Sequence, residues 1–278
     1  MITPLVKWAG GKRQLLTELN ASLPVAWNTY YEPFFGGGAL FADLFTRGRI
    51  SRGVIADLNR ELVNFYRIVR QHPAELMDEL AGGDFENSAP CFSARRAEFN
   101  VLNCSGENPV RRAALLLYLN KHGYNGLWRV NSRGSFNVPF GCHKKRNIPV
   151  AETVLRFSQM LRSVKILEAD FEAAVKTAKK GDLVYFDPPY HPISKTAGFT
   201  DYNSNGFRFE DQVRLARVFR RLSKKGIFVM LSNSKVPEIE ELYDDFAIRT
   251  VEAKRFINCD GEKRRGVFEI IVTNYPAS

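Results

Sequence analysis

The sequence has little cysteine or histidine and no long hydrophobic run. Four cysteines (Cys91, Cys104, Cys142 and Cys259) occur among 278 residues, with neither a CxxC nor a Cys/His spacing. This pattern argues against a disulfide or zinc framework and favours a reduced intracellular protein. No run approaches the ~18 apolar residues of a membrane span, and the first residues lack the apolar stretch of a signal peptide. We therefore expect a cytoplasmic protein that needs no metal.

Acidic residues are absent from one long stretch. Residues 110–151 contain eight lysines and arginines and no aspartate or glutamate, in a chain with a formal charge of +10. A solvated basic face is the simplest explanation of such a run. Aromatic and amide residues are interleaved with the cations here, however, and this combination favours binding to a polyanion.

Short apolar runs that end in polar residues alternate with helical patterns along most of the chain. Such runs occupy residues 54–56, 164–167, 183–186 and 227–231, and residues 268–272 form a further candidate strand. Residues 12–23 and 209–222 carry apolar side chains at helical spacing. Alternating strands and helices predict a mainly parallel sheet with helices on both faces. Ligands of such sheets bind beyond the carboxyl ends of the strands.

Residues 61–149 interrupt this alternation. Helical patterns at residues 62–69 and 110–119 give way to a segment rich in Gly, Asn and Arg after Lys121. We interpret residues 61–149 as a domain inserted between the two parts of a catalytic domain, residues 1–60 and 150–278.

The DPPY sequence at residues 187–190 is the strongest motif. Two consecutive prolines have no N–H group to donate and disfavour a helix, so regular hydrogen bonding stops directly after a strand. The Asp187 carboxylate and the Pro188 carbonyl would then be acceptors for the two hydrogens of an exocyclic amine, and Tyr190 offers a ring to stack on the base. A strand-end proline turn with a solvated aspartate is the alternative.

A glycine-rich turn, EPFFGGGALF at residues 32–41, precedes a predicted helix. Glycines allow the backbone to approach a ligand closely, and a helix N-terminus favours a carboxylate or a phosphate. Asp57 ends the next strand, where an acid suits ribose hydroxyls. Dinucleotide and S-adenosylmethionine sites share this pairing, so it does not separate them.

The N-terminal KWAGGK, residues 7–12, does not form a nucleoside-triphosphate loop. No glycine stands five residues before Gly10 or Gly11, and Arg13 replaces the Ser or Thr that would hold magnesium. A core tryptophan and a surface lysine are as compatible with these residues as a role in binding.

Residues 120–145 of the basic stretch have the side chains that read DNA. Arg and Asn can pair with guanine and adenine edges, and Lys can hold phosphates. Tyr124, Leu127 and Trp128 could enter a base stack or pack locally.

In these motifs the sequence resembles the Dam-type adenine-N6 DNA methyltransferases, which include the methylases of the DpnII system. The motifs that carry the resemblance, in order, are KWAGGK, EPFFGGGALF, IADLN (55–59), YNGLWRVN (124–131), FNVPFG (136–141), DPPY and FTDY (199–202). The resemblance implies an α/β fold, with a Rossmann-like seven-stranded S-adenosylmethionine-dependent methyltransferase sheet and an inserted, mainly helical target-recognition domain. It further implies methylation of adenine N6 in duplex DNA at GATC, after the base is flipped out.

The resemblance also assigns roles to individual residues. Those that match the catalytic motif are Asp187, Pro188 and Tyr190. Those expected to bind the cofactor are Trp8, Lys12, Glu32, Phe34, Gly36, Gly38, Asp57, Asp170 and Asp187. Those expected to bind DNA are Lys7, Tyr124, Asn125, Leu127, Arg129, Asn137, Pro139 and Lys144. Tyr124 matches an aromatic that inserts beside the flipped adenine, and residues 199–202 are expected to fold over it.

Two segments depart from the family pattern. Cys142 and His143 stand where members often have Arg-Tyr, which leaves one phosphate or stacking contact in doubt. Residues 256–265 are divergent and receive no role.

Other classes of protein share parts of the pattern. A NAD-dependent oxidoreductase would explain the glycine turn and Asp57 but neither DPPY nor the basic insert. A non-catalytic DNA-binding protein would not need the cofactor motifs. A cytosine-N4 methyltransferase is the nearest alternative, because it also acts on an exocyclic amine. We expect a monomer whose partner is double-stranded DNA, with no membrane partner.

Overall fold

A seven-stranded sheet forms the centre of the molecule in the computed structural model, which describes residues 3–82, 84–144, 148–190, 207–253 and 267–276. The strands are β1 (Tyr30–Glu32), β2 (Gly53–Asp57), β3 (Val164–Glu168), β4 (Leu183–Phe186), β5 (Phe228–Ser234), β6 (Ala247–Ala253) and β7 (Val267–Thr273). Their order is β3-β2-β1-β4-β5-β7-β6. The first five strands pair in parallel, and β7 runs antiparallel to both β5 and β6.

Helices cover both faces of the sheet. They are α1 (Leu16–Ala21), α2 (Ala39–Thr46), α3 (Arg60–Gln71), α4 (Pro73–Ala81), α5 (Ala89–Ser105), α6 (Pro109–His122), α7 (Ala151–Leu161), α8 (Phe171–Ala174), α9 (Phe209–Lys224) and α10 (Pro237–Glu241). Two 3-10 turns, Lys12–Leu15 and Tyr124–Gly126, precede α1 and follow α6. Polar caps begin some of the helices: the Asn59 side chain accepts the N–H groups of Glu61 and Leu62 at the start of α3, which satisfies donors that a helix leaves unpaired.

The two faces of the sheet belong to two apolar layers. Successive strand side chains point to opposite faces, so Leu183 and Tyr185 of β4 join one layer while Val184 and Phe186 join the other. The first layer continues through α2, α3 and α7 into α6, and the second contains the apolar faces of α9 and α10. The sheet is therefore buried on both sides, as its apolar strands predicted.

The predicted parallel sheet is confirmed, with two differences in extent. Strand β5 continues through Ser234, three residues beyond the predicted end, because its antiparallel ladder with β7 extends from Met230 to Ser234. The helix expected at residues 12–23 begins as a 3-10 turn before α1. Strand β6 and helices α4, α5, α7, α8 and α10 were not predicted.

Helices α3 to α6 and the segment after them form the region expected to be an insert. Helix α6 is buried from Arg112 to His122, and contacts α3, α4 and α5. A buried ion pair joins Arg112 to Glu61 at the start of α3. The domain boundaries at residues 60/61 and 149/150 stay a prediction.

After α6 the chain forms an irregular hairpin. Bridges pair Gly123 with Phe140 and Val130 with Phe136. Asn100 of α5 holds the hairpin by accepting the Phe136 N–H at 2.7 Å and donating to the Phe136 carbonyl at 3.1 Å. Among the helices in the described ranges, none has the length and apolar character needed to cross a membrane.

Candidate active site

Three acids lie where neighbouring parallel strands end. Glu32 ends β1, Asp57 ends β2, and Asp187 directly follows β4. Strand β1 lies between β2 and β4, and the chain runs outward from it in both directions. Such a switch point opens a crevice at the carboxyl edge of a sheet, and this is where ligands of open α/β sheets bind.

The glycine turn between β1 and α2 adopts a conformation that needs glycine. Gly36 has φ +48° and Gly38 has φ +64°, a region that residues with a Cβ rarely adopt. A Cβ on Gly36 would lie 2.7 Å from the Trp8 ring, and one on Gly38 would lie 2.5 Å from the Phe35 ring. These glycines therefore also permit close packing within the protein.

Asp57 supports this turn. Its carboxylate accepts the Gly36 N–H at 3.0 Å and the Asn59 N–H at 2.9 Å. Burial raises the pKa of Asp57, and these backbone hydrogen bonds oppose the rise. Asp57 thus fixes the turn at the same edge of the sheet where it was expected to meet ribose hydroxyls.

Glu32 is the most deeply buried acid of the crevice. It is 3% exposed, and it accepts a hydrogen bond from the Tyr30 hydroxyl at 2.9 Å. Burial raises its pKa to about 8, and the nearby Asp187 charge adds to the rise. Glu32 is therefore mostly protonated at neutral pH, which separates it in chemistry from Asp187.

Asp187 is held by a cation and a hydroxyl. Lys12 Nζ lies 2.8 Å from Oδ1, and the Ser232 hydroxyl donates to the same oxygen at 3.0 Å. Because Ser232 donates to Asp187, the Tyr185 hydroxyl, 2.8 Å from Ser232 Oγ, acts as the donor to Ser232. Both contacts fall on Oδ1, so Oδ2 has no donor among the described residues.

Lys12 is the counterion that this carboxylate requires. It is 5% exposed, and its ammonium also donates to the Gly10 carbonyl at 2.5 Å. Burial raises the pKa of Asp187, while the Lys12 charge and hydrogen bond oppose the rise. The pair therefore favours an ionised Asp187 inside a poorly solvated crevice.

The remaining residues of DPPY are fixed by neighbours on β7 and α9. The Tyr190 hydroxyl donates to Glu269 of β7, and the Lys12 ammonium lies 4.5 Å from the Tyr190 ring centroid. The Pro189 carbonyl accepts from Gln212 Nε2 at 3.0 Å. No described residue donates to the Pro188 carbonyl.

Asp170 and Phe34 both lie next to Phe171, the first residue of α8, shortly after the end of β3. The Phe34 ring stacks on Phe171 with centroids 5.4 Å apart, and Asp170 caps α8 by accepting the Glu172 N–H. Arg214 donates to both Asp170 oxygens, at 3.0 and 2.7 Å. Burial raises the pKa of Asp170, but the Arg214 hydrogen bonds and charge, together with the backbone hydrogen bonds of Glu172 and Ala173, outweigh burial and lower the pKa.

The N-terminal segment joins the crevice to the insert. Asn120 of α6 accepts the Lys7 N–H at 2.8 Å and donates to the Lys7 carbonyl at 2.7 Å and to the Gly126 carbonyl at 3.1 Å. The Trp8 ring stacks on Trp128 with centroids 6.1 Å apart. Trp8 thus contacts both the glycine turn and the insert.

The residues expected to bind DNA lie along the hairpin and its flanks. Tyr124, Asn125, Pro139 and Lys144 are exposed, and Leu127 is half-buried. Arg129 and Asn137 face each other: Arg129 Nε donates to Asn137 Oδ1 at 2.7 Å, and Arg129 Nη2 donates to the Asn137 carbonyl at 3.0 Å. The hairpin therefore brings these two candidates together.

Sequence reasoning missed the side chains that hold DPPY in place. These are Ser232, Gln212, Asn233 and Glu269. In the sequence, Ser232 and Asn233 are only the polar residues that follow an apolar run, and Glu269 is the one acid in a strongly apolar strand. An acid at a buried strand position was a usable signal, whereas Gln212 sits in a helix whose pattern gives no hint of it.

Two expected segments lie outside the described residues: the FTDY sequence at 199–202 and the divergent stretch at 256–265. Within the ranges that the structure does describe, His, Cys, Asp and Glu form no group of three or more that could hold a metal ion.

The comparison with known families places the chain among the methyltransferases. A glycine turn follows β1 and a DPPY turn follows β4, both at the same edge of the sheet. Residues 8–257 match the model of the D12 class N6 adenine-specific DNA methyltransferase family. The chain belongs to this family.

The chain is also similar to curated proteins over nearly its full length. A Type II methyltransferase, M1.LlaDCHI of Lactococcus lactis subsp. cremoris, is 45% identical over 276 residues, which is 99% of this chain and 96% of that protein. The Type II methyltransferase M.MjaIII of Methanocaldococcus jannaschii is 39% identical, with 99% of each chain covered. The DNA adenine methylase of Escherichia coli K12 is 36% identical, covering 98% of this chain and 95% of that protein.

Proposed function

We propose that this enzyme transfers the methyl group of S-adenosylmethionine to N6 of an adenine flipped out of duplex DNA. The observation that carries the proposal is a pair of acceptors at the DPPY turn. Asp187 Oδ2 and the Pro188 carbonyl have no donor among the described residues, while Lys12 and Ser232 fix the other carboxylate oxygen. An exocyclic amine has two hydrogens that match these two acceptors.

The acidic groups of the crevice fit the proposed cofactor. S-adenosylmethionine carries a sulfonium and an ammonium charge, ribose hydroxyls and an adenine amine, and all of these favour acidic or acceptor groups. Asp57, Asp170 and Asp187 lie at the ends of β2, β3 and β4, and Phe34 adds a partly buried ring. We assign these residues to the cofactor, together with Trp8, Lys12, Glu32, Gly36 and Gly38.

When bound, S-adenosylmethionine supplies an activated methyl group, so the protein has to orient and activate the amine. Hydrogen bonds from both N–H groups to Asp187 and Pro188 pull the nitrogen towards tetrahedral geometry and make its lone pair available. Catalysis then consists mainly of positioning and of charges fixed in advance.

Tyr190 provides a fixed surface for the base. Its hydroxyl is tied to Glu269, and burial, reinforced by the Asp187 and Glu269 charges, holds its pKa well above the usual value. The ring therefore stays neutral and cannot swing freely, which suits stacking on a purine.

The insert, residues 61–149, is assigned to DNA. The exposed candidates on its hairpin lie in the stretch without acidic residues, so phosphate contacts should give an affinity that falls steeply with salt. We propose Arg129 for a base contact and Tyr124 for the space beside the flipped adenine. Lys7, Asn125, Leu127, Asn137, Pro139 and Lys144 complete the proposed DNA surface. GATC is the proposed target, and the cytoplasm the proposed location.

The deciding experiment is expression in a host that lacks DNA methylation, followed by base analysis and genome-wide mapping of modified bases. N6-methyladenine confined to GATC supports the full proposal, and the same base at another site corrects only the target. N4-methylcytosine would replace the adenine assignment with the cytosine one. Recovery of unmodified DNA from cells with abundant folded protein would overturn the proposal.

A further inference from the structure

The second proline of DPPY is tied to the body of the protein through its carbonyl. Gln212 of α9 donates to the Pro189 carbonyl at 3.0 Å. Asn233 of β5 donates to Gln212 Oε1 at 3.0 Å. Both amide side chains are 0% exposed, and a buried polar group that loses its partner is costly. The contact is therefore a persistent feature of the site.

The direction of this chain of hydrogen bonds is set by the backbone. The Ser234 N–H, which can only donate, contacts Asn233 Oδ1 at 2.8 Å. This fixes the Asn233 amide with its NH2 group towards Gln212, so Gln212 presents its oxygen to Asn233 and its own NH2 group to Pro189. Each amide has one orientation that satisfies its neighbours.

Strand β5 consequently holds DPPY at two points. Ser232 fixes the Asp187 carboxylate, and Asn233, the next residue, fixes the Pro189 carbonyl through Gln212. Neighbouring residues of a strand point to opposite faces, so the two contacts approach the turn from different sides. The Pro188 carbonyl lies between two fixed points, and neither proline has an N–H group that could pair it locally.

We propose that Gln212, oriented by Asn233, is a positioning residue for methyl transfer. It holds the Pro189 carbonyl within the protein and thereby leaves the Pro188 carbonyl as the peptide oxygen offered to the substrate amine. This inference rests on the proposed function, because it concerns which oxygen receives the second N–H of adenine.

A purely structural role would have a different consequence. If the two amides served only to satisfy buried groups, their loss would lower the unfolding midpoint and reduce the amount of folded enzyme, but each folded molecule would react at the normal rate. If they position Pro188, folded enzyme saturated with both substrates would still react slowly.

The test replaces Gln212 by methionine, which keeps the side-chain length and removes the donor. We expect the single-turnover rate at saturating DNA and S-adenosylmethionine to fall about tenfold to a hundredfold, as for small misplacements of reacting groups. The dissociation constants of both substrates should change less than about threefold. Gln159→Met, at an exposed position of α7, is the matched control and should retain the wild-type rate.

A second substitution tests the orientation directly. In Asn233→Asp the introduced carboxylate still accepts the Ser234 N–H but attracts the Gln212 NH2 group, which turns it away from Pro189. The single-turnover rate should fall to a similar extent as in Gln212→Met. The double variant should be no slower than the slower single variant, because both changes break one chain of contacts.

The inference fails if folded Gln212→Met reacts at the wild-type rate, or if the two losses multiply in the double variant. If the wild-type protein itself forms no N6-methyladenine, the proposed function fails instead, so the two failures are distinguishable. Circular dichroism and unfolding midpoints of every variant establish that equal amounts of folded enzyme are compared.

Discussion

The carboxyl edge of the sheet and the hairpin of the insert have opposite charge and opposite degrees of burial. The sheet edge collects Asp57, Asp187 and the protonated Glu32 within a buried crevice, and Lys12 is the counterion of Asp187. The hairpin belongs to a stretch of 42 residues, 110–151, without an acid, and its tip is exposed. One surface suits a cationic small molecule and the other a polyanion, so two ligands of unlike charge need not compete.

The two regions also differ in how their polar groups are paired. At the sheet edge, the strands direct side chains towards the turn and leave Asp187 Oδ2 without a donor among the described residues. On the hairpin, Arg129 and Asn137 pair with each other. Under the proposed function, the sheet edge is a catalytic region that is organised before substrate binds, and the hairpin is a recognition region that would exchange its internal contacts for contacts to DNA.

The largest effect should come from Asp187→Ala, which removes the acceptor from the organised region. We expect the single-turnover rate to fall on the order of a thousandfold, while DNA affinity remains because the hairpin is untouched. Single-turnover assays together with DNA-binding titrations measure the two quantities. Near-normal methylation by this variant would refute the assigned role.

Lys12→Met tests the counterion. An opposite charge at this distance lowers a carboxyl pKa by about 1–3 units, so the variant should have an Asp187 whose pKa rises further above its usual value. A protonated Asp187 is a poorer acceptor, and the acidic limb of the rate profile should therefore move to higher pH by about that amount. Lys12→Arg keeps the charge, so its pH–rate profile should lie close to that of the wild type. Identical profiles for the wild type and Lys12→Met would contradict the role of Lys12 as counterion.

Arg129→Ala tests the recognition region. If Arg129 reads a base, discrimination at one position of the target should weaken about tenfold to a hundredfold, with methylation of the cognate site reduced to a similar extent. Competition between cognate and singly substituted duplexes measures this. Equal losses on all sequences would indicate a phosphate contact instead.

Glu32→Gln tests the protonated acid of the crevice through the pH dependence of stability. The pKa of Glu32 rises from 4.5 to about 8 on folding, so between these values the folded state keeps a proton that the unfolded state has lost. Stability of the wild type should thus fall as the pH rises from about 5 to 8, and the variant should lack this component. Urea unfolding at several pH values measures the difference. Parallel curves for the two proteins would show that Glu32 does not titrate in this range.

The buried strands could be predicted because a short apolar run that is followed by a polar residue is typical of a strand in a parallel sheet. The runs before Asp57 and Asp187 matched β2 and β4, and the glycine turn appeared where expected. Strand β6 was missed because it reads AIRTVEA, which is half polar as suits a strand at the edge of a sheet. Strands β2 and β4 and the glycine turn can be recognised from short local patterns, whereas β6 is a strand because it pairs with β7.

The candidate site divides in the same way. Motif residues such as Asp187 and Lys12 could be named from the sequence, but their ion pair across 175 positions could not. The partners of DPPY come from α9, β5 and β7, which lie far along the chain. Gln212 has no local signature, and Glu269 stands out as an acid in an apolar strand without indicating its partner, so both contacts emerge only from the fold.

The hydrogen bonds of Asn120 to the backbone of Lys7 and Gly126 have a consequence for engineering. An exchange of insert sequences between relatives, intended to change the DNA site, would separate α6 from the N-terminal segment around Lys7, to which Asn120 is hydrogen-bonded. In a chimaera that imports residues 61–149 alone, the imported helix α6 therefore packs against an N-terminal segment from a different protein. Transplanting residues 5–12 from the same donor would keep that joint intact.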